Sequence, residues 1–76
     1  MTDFNNELDA RGLNCPLPIL RTKKSMNGMA AGEILKVVAT DPGSVKDMEA
    51  YAKQTGHEIV DSIDNDGEFT FFIQKN

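Results

Sequence analysis

Apolar positions recur along this chain in two rhythms, and the switches between them mark out six elements. Phe4, Leu8 and Ala10 fall on positions of one parity, which predicts a short first strand over Phe4–Ala10. Ile19, Leu20, Met26 and Met29 then fall at helical spacing and form a thin apolar stripe. The helix carrying them is predicted to open at Cys15-Pro16, because proline suits a first position whose N–H has no partner, and to close at Gly28 and Gly32. Glu33–Ala39 is β-branched and almost continuously apolar, the pattern of a central strand. Asp41-Pro42-Gly43-Ser44 is turn chemistry, and Ser44 with Asp47 has the spacing of a capping box. Val45, Met48, Tyr51 and Ala52 mark a second helix that stops at Gly56. Ile59–Ile63 and Glu68–Ile73 flank Asp64-Asn65-Asp66-Gly67, a strong hairpin signal. In the last strand Phe69, Phe71 and Ile73 share one face, and Thr70, Phe72 and Gln74 share the other.

The predicted order is β-α-β-α-β-β. The simplest arrangement is an α/β (α+β) two-layer sandwich, with a mixed four-stranded sheet and two helices on one of its faces. With 76 residues, positions 1–76 read as a single domain. A chain of this length buries only roughly 60–65% of the surface its unfolded form exposes, so the core is thin and a deep cleft is excluded.

Composition narrows the classes further. No apolar run approaches the roughly 20 residues that a membrane span requires. The opening Met1–Glu7 has neither the basic nor the apolar region of a signal peptide. One cysteine cannot form an internal disulfide, and the expected setting is the reducing cytoplasm. The net charge of −4 argues against nonspecific nucleic-acid binding. A monomer is expected.

Candidate chemistry gathers at Cys15. A cysteine immediately before a Pro-x-Pro helix start lies at the rim of the sheet. Pro16 and Pro18 remove two of the helix's free N–H groups, leaving those of Cys15 and Leu17 near the sulfur. The helix dipole places roughly half a positive charge at this end. Arg11, Arg21, Lys23 and Lys24 give the segment 11–24 a charge of +4, so the remainder of the chain carries −8. Such surroundings lower a thiol's pKa and stabilise a persulfide anion. The expectation is an exposed Cys15 more acidic than a free cysteine. Gly12 supplies an unusual backbone angle in the preceding loop, Leu17 is an exposed apolar contact, and the bases stabilise the anion or steer acidic partners.

Asp9-Ala10-Arg11-Gly12-Leu13-Asn14-Cys15-Pro16-Leu17-Pro18 resembles the signature of the TusA/SirA-like sulfur-carrier family, whose Cys-Pro-x-Pro motif opens the first helix. The resemblance extends over nearly the whole chain, through the Asp41-Pro42 turn, the Gly56 region and the final hairpin. It implies a sulfurtransferase in the sense of a persulfide carrier, with Cys15 bearing sulfane sulfur and no cofactor. It also implies a donor, such as a cysteine desulfurase or a rhodanese-like protein, and an acceptor such as a DsrE-type protein. The pathways implied are sulfur trafficking, sulfur oxidation and tRNA thiolation. Leu17 stands where the tRNA-thiolation carriers typically have an acidic residue, and the surrounding wording is closer to members from sulfur-oxidising bacteria. With no second cysteine to resolve a disulfide, transfer at Cys15 must be intermolecular.

Two other classes fit the residues less well. A small nucleic-acid-binding module would need aromatics among the bases of the first helix, and there are none. A redox-switch interaction domain would oxidise Cys15 without transferring sulfur. His57, the single histidine, reads as a strand-edge residue. One His and one Cys far apart in sequence do not make a metal site.

Overall fold

The computed structural model describes residues 3–76; Met1 and Thr2, part of the segment read for a signal peptide, lie outside the described residues. The chain runs β1 (Asn6–Ala10), α1 (Leu17–Asn27), β2 (Ile34–Ala39), α2 (Ser44–Thr55), β3 (Glu58–Asn65) and β4 (Glu68–Gln74). The sheet order is β1-β2-β4-β3, with β1 and β2 parallel and the other pairs antiparallel. The α+β sandwich expected from the sequence is therefore the observed architecture.

Strand parity builds the core. Leu35, Val37 and Ala39 of β2 alternate with half-buried Ile34, Lys36 and Val38. They pair with Ile73, Phe71 and Phe69 of β4, and this face meets Met26 of α1 and Met48 and Tyr51 of α2. The opposite face is open. There Phe72 pairs with Lys36, Phe4 lies 6.0 Å from the Phe72 ring, and the Lys36 ammonium sits 5.2 Å from the Phe4 ring centroid.

Three expectations need correction. β1 starts at Asn6, because a bend at Asn5 carries Phe4 to the open face and out of the Leu8/Ala10 row. α1 starts at Leu17, not at Cys15-Pro16: Pro16 is the N-cap, the Leu17 N–H donates back to Asn14, and the Cys15 N–H is engaged elsewhere. Its buried row is Pro18, Thr22 and Met26, spaced by four, while Leu20 is 54% exposed. The buried Thr22 hydroxyl is satisfied by donating to the Pro18 carbonyl at 2.8 Å. The Ser44–Asp47 capping box does not form either. Gly43 is the N-cap, Ser44 is the first helical residue, and its buried hydroxyl has no hydrogen-bond partner among the described residues.

The chain's end closes the sandwich. The Lys75 ammonium donates to the Met26 and Met29 carbonyls, each at 2.7 Å, and so completes hydrogen bonds at the C-terminal end of α1. The hairpin closes tightly, with Asn65 paired to Glu68 and positive φ at both Asp66 and Gly67, as a type I′ turn requires.

Gly56 ends α2 in the left-handed conformation, at φ 81°, and its N–H donates to the Ala52 carbonyl. A Cβ at this position would lie 2.7 Å from the Asn76 side-chain nitrogen, which is flexible enough to shift. The backbone conformation therefore dominates the cost. Gly56→Ala is expected to destabilise the fold by about 1–2 kcal/mol. Urea denaturation should show a lower midpoint with an unchanged slope.

Candidate functional site

Parallel pairing of β1 and β2 sets Ala10 beside Ala39, so the loops that follow the two strands leave the same end of the sheet. Hydrogen bonds then join these loops. Gly12, at φ 79°, turns its N–H to the Thr40 hydroxyl at 2.9 Å. The Cys15 N–H donates to Asp41 Oδ2 at 2.8 Å, and Asp41 Oδ1 accepts the Gly43 N–H at 3.0 Å. One carboxylate thus ties the cysteine loop to the start of α2.

Cys15 is exposed, as expected. It stands in a groove of about 240 Å³ between the helices, lined also by Pro16, Ile19, Asp47, Ala50, Tyr51 and Gln54. Its peptide bond to Pro16 is cis. Pro18 is buried beneath, and Leu17, between the two prolines of the motif, is 45% exposed.

The electrostatics of this groove reverse the expectation of an acidic thiol. Cys15 Sγ donates to Asp47 Oδ2 at 2.8 Å. That hydrogen bond, followed by desolvation and by the charges of Asp47 and Asp41, holds the thiol above its ordinary value. The two N–H groups expected to face the sulfur are occupied, that of Cys15 by Asp41 and that of Leu17 by Asn14.

Arg11 does not serve Cys15. It forms a fork with Asp9, Nε to Oδ1 at 2.9 Å and Nη2 to Oδ2 at 3.0 Å. The pair borders a second groove with Glu7, Lys36, Val38 and Glu68. Arg21, Lys23 and Lys24 are exposed on α1, and none is among the hydrogen-bond or ion-pair partners of Cys15 within the described residues. The +4 segment brackets the sulfur in sequence; in space, the Asp47 carboxylate contacts it and Asp41 holds the Cys15 backbone N–H. His57 accepts the Asn76 N–H on Nδ1 at 3.0 Å and does not line the Cys15 groove.

Asp41, Asp47 and Thr40 are the site residues that reading element by element passes over, because Asp41 looks like a turn residue and Asp47 like a cap. The available signal is topological: sites collect where adjacent parallel strands end. Among the described residues, no group of three or more His, Cys, Asp or Glu side chains could hold a metal ion. No helix there is long and apolar enough to cross a membrane.

Fold and site together define a class: small two-layer α/β proteins that present one thiol at the rim of the sheet, ahead of a Pro-x-Pro helix start. Residues 6–75 match the family model described as sulfurtransferase TusA, and the chain belongs to that family. It is 60% identical over 76 residues to a protein from Allochromatium vinosum named sulfur carrier protein TusA, covering all of both chains. A protein of the same name from Pseudomonas putida is 40% identical over 77 residues, covering 99% of this chain and 96% of its own. The crystal structure of a SirA-like protein from Desulfitobacterium hafniense superposes with a TM-score of 0.82 at 25% identity, over 92% of this chain and 96% of that one.

The fork to Arg11, chiefly its side-chain hydrogen bond, lowers the exposed Asp9 carboxyl to about 2. A carboxyl depressed in the folded state adds stability that is present above its ordinary value and lost as the pH falls toward the depressed one. Arg11→Gln should return the Asp9 midpoint toward about 3.9 in an NMR titration. The same variant should leave the pH profile of Cys15 alkylation unchanged, because Arg11 acts on Asp9.

Proposed function

We propose that this protein is a sulfur carrier that receives sulfane sulfur as a persulfide on Cys15 and relays it to a partner protein. The observation that carries this reading is the exposed thiol at the mouth of the groove between α1 and α2. Membership of the TusA family and the names of the full-length relatives support it. A thiol that carries cargo between proteins must be reachable by large partners, and a rim position meets that need where an enclosed pocket would not.

Loading is an exchange. Cys15 Sγ attacks the outer sulfur of a donor persulfide. The new Sγ–S bond forms as the donor's S–S bond breaks, and the donor's inner sulfur leaves with the electron pair. Unloading repeats the step with an acceptor thiol as nucleophile, attacking the terminal sulfur on Cys15. With a single cysteine, each step takes place between two proteins. The activity is thus a relay, and the sulfur on Cys15 is cargo, with no cofactor required. A cysteine desulfurase or rhodanese-like protein suits the donor role, and a DsrE-type protein suits the acceptor role. The reducing cytoplasm is the setting that fits a single free thiol.

Docking falls to the exposed side of α1. Leu17 and Leu20 are 45% and 54% exposed and share that helix with Arg21, Lys23 and Lys24. An apolar pair beside three bases fits a partner surface that is acidic around an apolar centre.

Incubation with a sulfane-sulfur donor should add sulfur mass to the protein by intact mass spectrometry. Cys15→Ser should abolish the gain. Oxygen addition at Cys15 with no sulfur gain would instead make the residue a redox switch. Lys23→Glu with Lys24→Glu should slow association with the donor protein at least about tenfold at low salt, an effect that shrinks as salt rises. Stopped-flow association rates check this.

A further inference from the structure

Asp47 has a local task open to it that it does not perform. Its spacing from Ser44 is that of a capping box, yet α2 has no side-chain cap. Its carboxylate reaches instead to the neighbouring loop and accepts the Cys15 S–H at 2.8 Å. Among the described residues this is the one hydrogen bond that the carboxylate makes. Asp41 is committed differently, since its two oxygens hold the backbone N–H groups of Cys15 and Gly43. Asp41 therefore positions the loop, whereas Asp47 touches the reacting atom.

We propose that Asp47 restrains the empty carrier, holding Cys15 as an oriented neutral thiol and taking its proton when sulfur is loaded. The proposal rests on the carrier reading above. A carboxylate beside a sulfur rewards the S–H donor and penalises a second negative charge. The titratable groups around Sγ are Asp47 and Tyr51 from α2 and Asp41 from the β2–α2 loop; α1 and its N-cap contribute only Pro16 and Ile19 to the groove. Burial raises the Tyr51 phenol and so disfavours a negative charge there. Among the described residues, two carboxylates and no basic side chain thus face or border the sulfur, and that arrangement favours the thiol over the thiolate.

Loading then has a defined proton path. As the Sγ–S bond forms, the Cys15 proton passes to Asp47 Oδ2. The electron pair of the broken donor S–S bond remains on the donor's inner sulfur, which leaves as a thiolate and takes the proton from Asp47. The Cys15 sulfur is oxidised to a persulfide and the donor sulfur is reduced to a thiol, so the exchange balances without a further reagent.

The test is the pH profile of Cys15 alkylation by iodoacetamide, measured on the full chain. The folded wild type should show a midpoint above that of the same chain unfolded in urea. Asp47→Asn, which keeps the shape and removes the charge, should lower the midpoint by about one pH unit, equal to about a tenfold greater thiolate fraction below it. Asp47→Glu restores the charge and should bring the midpoint back toward the wild type. A purely structural role for Asp47 would not give this order.

A folded wild type with a midpoint at or below that of the unfolded chain overturns the proposal, whether or not the Asn variant folds. A folded Asn variant with the wild-type midpoint also overturns it. Persulfide loading measured on the same samples separates the two readings. The predicted midpoints without loading support the restraint and overturn the carrier reading; loading with an unmoved midpoint keeps the carrier and overturns the restraint.

Discussion

The parallel pairing of β1 with β2 is the constraint on which the site depends. Parallel strands must be joined by a crossover, here α1, so both strands run toward the same edge and their following loops leave side by side. Ala10 pairs with Ala39, and the site residues follow within eight positions of that pair. Thr40 holds Gly12, Asp41 holds the Cys15 backbone, and Asp47 holds the Cys15 sulfur. An antiparallel β1 would send its loop to the other end of the sheet and break all three contacts.

This geometry divides the charged groups between two tasks. The bases of the 11–24 segment do not cluster on the sulfur. Arg11 is held by Asp9, and the other three lie along the outside of α1. They form a basic, solvent-exposed surface on that helix. The side chain that accepts the sulfur's hydrogen bond is the acidic Asp47, with Asp41 nearby, and both favour the protonated thiol. In the proposed reading, the carrier meets partners with one part of its surface and restrains its nucleophile with another. The exposed bases and the carboxylates near the sulfur have opposite signs and occupy different elements.

A thin core makes such precision demanding. Two helices cover one face of four strands, and the buried side chains are largely Met26, Met29, Met48, Leu35, Val37, Phe71 and Ile73. Methionine fills irregular gaps at little cost in strain, which suits a shallow interface between helices and sheet. The loops are therefore held by specific polar bonds more than by packing. The C-terminus contributes in the same way, with Lys75 bonded to two carbonyls at the end of α1 and Asn76 bonded to His57. Polar ties of this kind hold the edges of the sandwich where apolar area is scarce.

Periodicity and turn chemistry together determined the six elements, their order, the two faces of β4 and a hairpin turn within Asp64-Asn65-Asp66-Gly67, because these are local consequences of side-chain parity and backbone freedom. The exposed Cys15 also follows from local rules about helix starts. The family resemblance in Cys-Pro-Leu-Pro pointed to the sulfur as the working atom. Tertiary structure alone decided the surroundings of that sulfur. Charges adjacent in sequence project in different directions from a loop and a helix, so the +4 segment disperses. Asp41 and Asp47 lie 26 and 32 residues from Cys15 and reach it only because two strands run parallel. Side-chain ionisation depends on through-space distance of a few ångströms, and separation along the chain carries no direct measure of that distance.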